Sequence, residues 1–311
     1  MLLEGNIWFL PFEIDFIVWL QSLGAGTFFQ KALLVLNNFL SLLGEETVLV
    51  LIMGAIYWGL DKKKGERIAV SLLAANVVNP LIKNVVRRLR PYQSTDKIEL
   101  LRDVGGYSFP SGHSSSSAAF YPGIARQYKD KKWLTVLCLI IPVLVAISRN
   151  YLGAHFLTDV VCGLVLGALV LVLTNVVLDR ISNKYYFYIG MTAVFAVGMF
   201  YCTTTDYFTS FGMVVGFVAG IFFEERFVKF ANTTLWWRVV LRTLVGGGLY
   251  LALNSLIKLA LGGFFEANYA ADLAFRTIRY AVIAFALIGV YPMIFKPFDK
   301  IWQKTGIIKS E

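Results

Sequence analysis

The sequence is short of the residues that build metal and redox sites. It holds two histidines, His113 and His155, and three cysteines, Cys138, Cys162 and Cys202, all three in apolar segments. No CxxC or Cys/His spacing occurs, which argues against a zinc site, a redox pair or a disulfide framework. Charge is scarce too: 16% of the 311 residues are Asp, Glu, Lys or Arg, against 57% hydrophobic. A soluble chain of this length cannot hide so much apolar side chain. Internal repeats and low-complexity linkers are also missing, which excludes repeat architectures. The opening Met1-Leu2-Leu3-Glu4-Gly5 lacks the basic start of a cleaved signal peptide.

What the chain has instead is apolar runs of about 18–20 residues, the length at which a helix crosses hydrocarbon. They predict an all-α, polytopic membrane bundle of about ten transmembrane helices. The runs fall at 28–43, 46–60, 66–86, 112–127, 133–149, 155–178, 185–202, 208–224, 237–260 and 276–296. Residues 1–311 read as one integral membrane domain: an interfacial segment 1–27, a core 28–178, and four additional helices over 185–296. Phe9 to Leu23 is broken by Pro11, Glu13 and Asp15, and reads as lying on the membrane rather than crossing it. The last four helices carry no comparable polar constellation.

Charge sets the expected orientation. The net charge is +9. No soluble basic face accompanies it, so nucleic acid is not an expected partner. Basic loops mark the cytoplasmic side. They are Asp61 to Arg67, Arg126 to Lys132, Arg180 with Lys184, Arg226 with Lys229 and Arg238, and the tail with Lys296, Lys300, Lys304 and Lys309. The opposite side holds Gly44-Glu45-Glu46 and Thr203 to Asp206, with no Lys or Arg. Its basic residues cluster in 83–102 and at Arg149, with Lys258, Arg276 and Arg279 further on. That cluster defies the topology bias and implies an anion site on the non-cytoplasmic face.

Three polar segments break the apolar pattern. Lys83 and Arg90 are seven residues apart, which puts them on one helical face if the helix runs to Pro91. They read as a cation clamp, or as a basic helix end meeting headgroups. In Pro110-Ser111-Gly112-His113, Ser111 suits a helix cap and Gly112 allows close backbone approach. Free N–H groups at a helix start cradle phosphate, and His113 in that turn can protonate an ester oxygen. The serines that follow suit helix packing. Ser148 to Asp159 is the richest segment. If a helix starts near Gly153, His155 and Asp159 share a face, and the carboxylate can orient the imidazole as a nucleophile. Arg149 offers a planar fork for phosphate oxygens. The plainer reading is a snorkelling Arg and a helix-capping His.

Together these segments resemble the type 2 phosphatidic acid phosphatase superfamily, which includes a glucose-6-phosphatase branch. Its motifs K-x6-R-P, P-S-G-H and S-R-x5-H-x3-D match Lys83 to Pro91, Pro110 to His113, and Ser148 to Asp159. The likeness covers roughly 46–178, with the order and spacing of a six-helix core. It implies a metal-independent phosphatase working through a phosphohistidine, with no cofactor. His155 becomes the nucleophile, Asp159 its orienter and His113 the acid and base. Lys83, Arg90, Ser111, Gly112, His113 and Arg149 become the phosphate binders. The scarcity of histidine agrees with the absence of a metal site. The resemblance further implies an integral membrane enzyme acting on lipids such as phosphatidate, phosphatidylglycerophosphate or polyprenyl diphosphate. A soluble sugar phosphate is the alternative substrate. A non-enzymatic anion transporter is the alternative of another class, though its site would sit near the midplane in broken helices.

Overall fold

The computed structural model describes residues 5–233, 235–265 and 267–297. Lys300, Lys304 and Lys309 lie outside the described residues. Twelve α-helices follow one another, and no strand occurs among the described residues. They are α1 Pro11–Ser22, α2 Phe28–Leu42, α3 Glu46–Gly54, α4 Lys62–Val86, α5 Pro91–Ser94 and α6 Gly112–Gln127. Then come α7 Lys132–Tyr151, α8 Leu157–Arg180, α9 Lys184–Ala196, α10 Thr205–Phe223, α11 Trp236–Leu261 and α12 Tyr269–Phe285.

The chain is an all-α membrane bundle, but the expected ten crossings are not reproduced. Six helices among the described residues are long and apolar enough to span, or seven if the bent pair Phe28–Leu42 and Glu46–Leu60 counts as one. The shortfall has a local cause. α2, α6 and α9 have 15, 16 and 13 residues. At 1.5 Å per residue none matches a hydrocarbon core of about 30 Å.

Two compact units are present. The first comprises Met1–Val50, Glu66–Ser182 and Gly198–Tyr207. Its centre is the packing of α6 against α8 and α7. On α8, Val161, Val165, Leu169, Val172 and Leu173 stay exposed, suited to lipid, while Gly163, Gly167, Val170 and Thr174 are buried. Gly163 and Gly167 face α6 so closely that an added Cβ would sit 2.6 Å from the Ser111 carbonyl and 2.2 Å from that of Ser115. The serine run of α6 therefore serves close helix packing, with Ser114, Ser115 and Ser117 fully buried. α1 packs Ile17 against Ile98 and Phe156, and Leu20 against Tyr151 and Leu152. Trp19 and Asp15 stay exposed while Glu13 is buried, so of the two acids in α1 only Glu13 turns into the protein.

The second unit comprises Leu51–Gly65, Asn183–Val197 and Phe208–Glu311. Gly212 and Gly216 of α10 would clash with the carbonyls of Thr277 and Ala281 on α12 if they carried a Cβ. Two of its buried charges have partners within the unit: Glu224 pairs with Lys62 at 2.9 Å, and Arg242 donates to the carbonyls of Trp58 and Ala231.

Candidate active site

The site is assembled in the first unit, where α7 ends and α8 begins. Gly153 has φ +70°, in the left-handed region, and a Cβ there would lie 2.3 Å from the Glu99 carbonyl. Ala154 and His155 follow in bends, Phe156 is extended, and α8 starts at Leu157 rather than near Gly153. His155 and Asp159 are thus not two positions on one helical face. They meet because Asp159, in the first turn, folds back to accept from the Phe156 N–H at 2.8 Å. Its Oδ2 then lies 3.5 Å from His155 Nδ1. Asn150 Nδ2 donates to the His155 carbonyl at 2.9 Å and steadies the turn. Burial, followed by the charges of Arg90, Lys83 and Arg149, holds the His155 imidazole well below the usual imidazole range.

The cations reach the imidazole by a different route from the expected one. α4 ends at Val86, and Arg87 takes a left-handed φ of +51°. Pro91 opens α5 and does not stop α4. A residue before proline avoids the helical region, and Arg90 is accordingly extended, with ψ 160°. Lys83 and Arg90 converge on one loop instead. Lys83 Nζ donates to the Tyr107 carbonyl at 2.9 Å, while Arg90 donates to the carbonyls of Gly106 and Gly105. Arg90 Nη1 also donates to the Ala154 carbonyl and lies 3.3 Å from His155 Nε2.

Arg149, in the last turn of α7, donates from Nη1 to Ser41 Oγ at 2.6 Å, and its buried Nε has no partner among the described residues. Ser111 caps α6 by accepting from the Ser114 N–H, and its own N–H donates to the Asp159 carbonyl at 2.9 Å. That bond ties the start of α6 to the first turn of α8. Gly112 and His113 follow in the first turn of α6. The charges of Arg149, Arg102 and Lys83 reach His113, though burial acts on it more strongly, and its buried Nε2 has no partner among the described residues. Lys83, Arg90, Arg149, His113, His155 and Asp159 thus lie within electrostatic reach of one another, all but His113 buried. Their unpartnered donors and the free N–H groups of α6 suit a small polyanion.

Several residues here escaped sequence reasoning. Ser108, fully buried, donates to Asp159 Oδ2 at 2.5 Å and lies 3.4 Å from His155 Nδ1. Arg88 and Glu13 stand behind Asp159. Ser41 holds Arg149. The one available signal was Glu13, an acid inside an apolar run, where an ionisable residue suggests function. Among the described residues, no three His, Cys, Asp or Glu side chains gather into a metal-binding group.

Comparison with known proteins bears on this arrangement. Residues 66–182 match the family model described as PAP2 superfamily, and 208–301 match the one described as PAP2 superfamily phosphatase, transmembrane extension. Phosphatidylglycerophosphatase B of Bacillus subtilis (strain 168) is 40% identical over 107 residues, 32% of this chain and 50% of that protein. Undecaprenyl-diphosphatase of Sulfolobus acidocaldarius is 31% identical over 132 residues, 42% of this chain and 63% of that protein. The match thus spans about half of the first curated relative and under two thirds of the second. The crystal structure of Aquifex aeolicus LpxE aligns at a TM-score of 0.47 and 19% identity, over 53% of this chain and 95% of that one.

Proposed function

This chain belongs to the PAP2 superfamily, and from that premise we propose that it hydrolyses lipid phosphates in the membrane through a phosphohistidine on His155. What carries the reading is the imidazole itself. Nδ1 faces Asp159 and Ser108, and Nε2 faces the Arg90 guanidinium at 3.3 Å. The ring nitrogen free to attack thus sits beside a group suited to hold phosphate.

The steps follow from charge. A phosphate dianion repels nucleophiles, so catalysis rests on positioning and on preorganised positive charge. Lys83, Arg90, Arg149 and the N–H groups of Gly112 and His113 hold the equatorial oxygens, with Ser111 fixing that turn. His155 Nε2 forms a bond to phosphorus as the bond to the leaving oxygen breaks. Protonated His113 gives its proton to that oxygen, which departs as an alcohol, or as phosphate monoester from a diphosphate. Neutral His113 then takes a proton from water, whose oxygen attacks phosphorus, and the N–P bond breaks to release inorganic phosphate. Asp159 balances the charge on the His155 ring throughout. In this reading the chain's own cations do the work a metal does elsewhere.

A lipid substrate is favoured because both curated relatives are phosphatases of lipid phosphates by name. A lipid need not leave the bilayer, and its acyl chains add binding. The basic 61–67 and 126–132 loops support a site on the non-cytoplasmic face. The test is phosphate release by purified protein, with chelator present, from phosphatidate, phosphatidylglycerophosphate, undecaprenyl diphosphate and glucose 6-phosphate. Turnover of at least one lipid above the sugar phosphate is expected. Faster turnover of the sugar phosphate supports the soluble-substrate alternative. No release from any of them supports an anion transporter. Loss of activity in chelator, restored by a divalent ion, overturns the metal-free chemistry.

A further inference from the structure

A second buried charge lies behind the His155–Asp159 pair, and the steps above leave it unused. Arg88 is fully buried, with its guanidinium between the Trp8 and Phe156 rings, 3.8 and 4.0 Å from their centroids. Each of its nitrogens is engaged. Nε donates to the Trp8 carbonyl at 2.9 Å, and Nη1 to Thr158 Oγ1 at 2.7 Å and Asp159 Oδ1 at 2.6 Å. Nη2 donates to Glu13 Oε2 at 3.0 Å. Glu13, also fully buried, accepts from the Leu10 N–H at 2.9 Å. Its Oε1 accepts from the N–H and the hydroxyl of Thr158, both at 2.8 Å. α1 therefore delivers a carboxylate to the first turn of α8.

Three buried charges are costly to assemble, and apolar side chains of similar volume commonly pack as well. Adhesion of α1 alone does not call for them. We infer that Glu13 and Arg88 are positioning residues that set the charge Asp159 presents to His155. The inference rests on His155 being the nucleophile. When Nε2 bonds phosphorus, the ring becomes cationic and keeps its proton on Nδ1. Asp159 must then stay an anion on Oδ2. Arg88 on Oδ1 fixes the carboxylate and opposes transfer of the Nδ1 proton to it. Arg88 alone would also cancel the charge that steadies the ring. Glu13 offsets Arg88, so Glu13, Arg88 and Asp159 together carry one negative charge toward the imidazole.

The other groups facing His155 stay constant in the test. They are Arg90 beyond α4, Lys83 on α4, His113 on α6, Arg149 on α7 and Ser108 on the loop. Around Asp159, Arg88 and Glu13 the further titratable neighbour is Cys162 on α8. The measurement is single-turnover phosphoenzyme formation against pH, using a labelled aryl phosphate and protein purified in detergent. The acid limb reports loss of the nucleophile by protonation. Glu13→Gln removes one negative charge, so the limb moves to lower pH. Arg88→Gln removes one positive charge, so it moves to higher pH. Both variants slow phosphoenzyme formation roughly 10–100-fold, the loss seen when the groups that orient a metal-bound histidine from behind are removed. Arg88→Lys brings the limb back toward that of the unaltered protein. A structural role predicts slower formation without opposed shifts, so limbs that stay put or move together overturn the inference. Should Arg88→Gln fail to fold, the near-isosteric Glu13→Gln still decides it by the direction of its limb. Label in the unaltered protein with an unmoved limb in Glu13→Gln sinks this inference alone. No label in the unaltered protein sinks the nucleophile reading and this inference with it.

Discussion

Replacing His113 by alanine separates the two halves of the reaction. The His113 Nε2 has no hydrogen-bond partner among the described residues. The cap of α6 depends on Ser111 and Ser114, and the nearby cations are anchored by Tyr107, Gly105, Gly106, Ala154 and Ser41. His113→Ala thus removes a proton carrier and leaves the phosphate clamp in place. General acid–base help of this kind is worth ~10²–10⁴-fold, or ~2.7–5.4 kcal/mol at 1.36 kcal/mol per decade. An alkyl phosphate, whose leaving oxygen needs the proton, should show that full loss in the first step. An aryl phosphate with a low-pKa leaving group needs little protonation, so its first step should lose far less. Activation of water is impaired for both. Phosphoenzyme should therefore accumulate in His113→Ala with the aryl substrate, stable to base and labile to acid. Rapid quench of each mutant with labelled aryl and alkyl phosphates reads this directly. Labelled protein in His155→Ala with none in His113→Ala would mean that the two roles are exchanged. An equal penalty for both leaving groups would remove His113 as the acid.

Three further outcomes follow from particular residues. Burial and the charges of Arg90, Lys83 and Arg149 disfavour protonation of His155, so it stays a nucleophile below the ordinary imidazole pKa of about 6.5. The acid limb of phosphoenzyme formation should fall below that value, and a limb at or above it contradicts the electrostatics. Gly167→Ala sets a Cβ against the Ser115 carbonyl, whereas Gly190 has nothing within 4 Å. Overpacking of this sort costs about 1–3 kcal/mol, so Tm in detergent should drop for Gly167→Ala and hold for Gly190→Ala. A membrane-impermeant thiol reagent should label Ser94→Cys in intact cells and spare Asp130→Cys, and the reverse pattern places the site on the cytoplasmic face.

Much of the site was legible because its residues come in short local patterns. Ser111 as a cap, the serines as packing and the all-α membrane class all follow from nearest neighbours and apolar length. What escaped depends on contacts distant in sequence. The expected face shared by Lys83 and Arg90 assumed a helix continuing to Pro91, but Arg87 turns left-handed and the chain leaves the helix at Val86. The pair still converges, because both cations find carbonyls on the 105–107 loop. His155 and Asp159 show the same lesson. Their spacing suggested one helical face, yet the contact comes from Asp159 turning back on an extended Phe156. Arg88 was hidden among neighbouring arginines, since only its partners Glu13, Trp8 and Asp159 distinguish it. The count of ten crossings is not confirmed, because α2, α6 and α9 are shorter than apolar composition suggested.

The central claim is that phosphate passes through His155, and trapping tests it most directly. Protein mixed with labelled substrate, quenched in base within one turnover and digested, should carry the label on the peptide containing His155. That label should survive base, disappear in acid and be absent from His155→Ala. Release of phosphate in a single turnover with no covalent label at any time point, or label on a serine or carboxylate, would contradict the account.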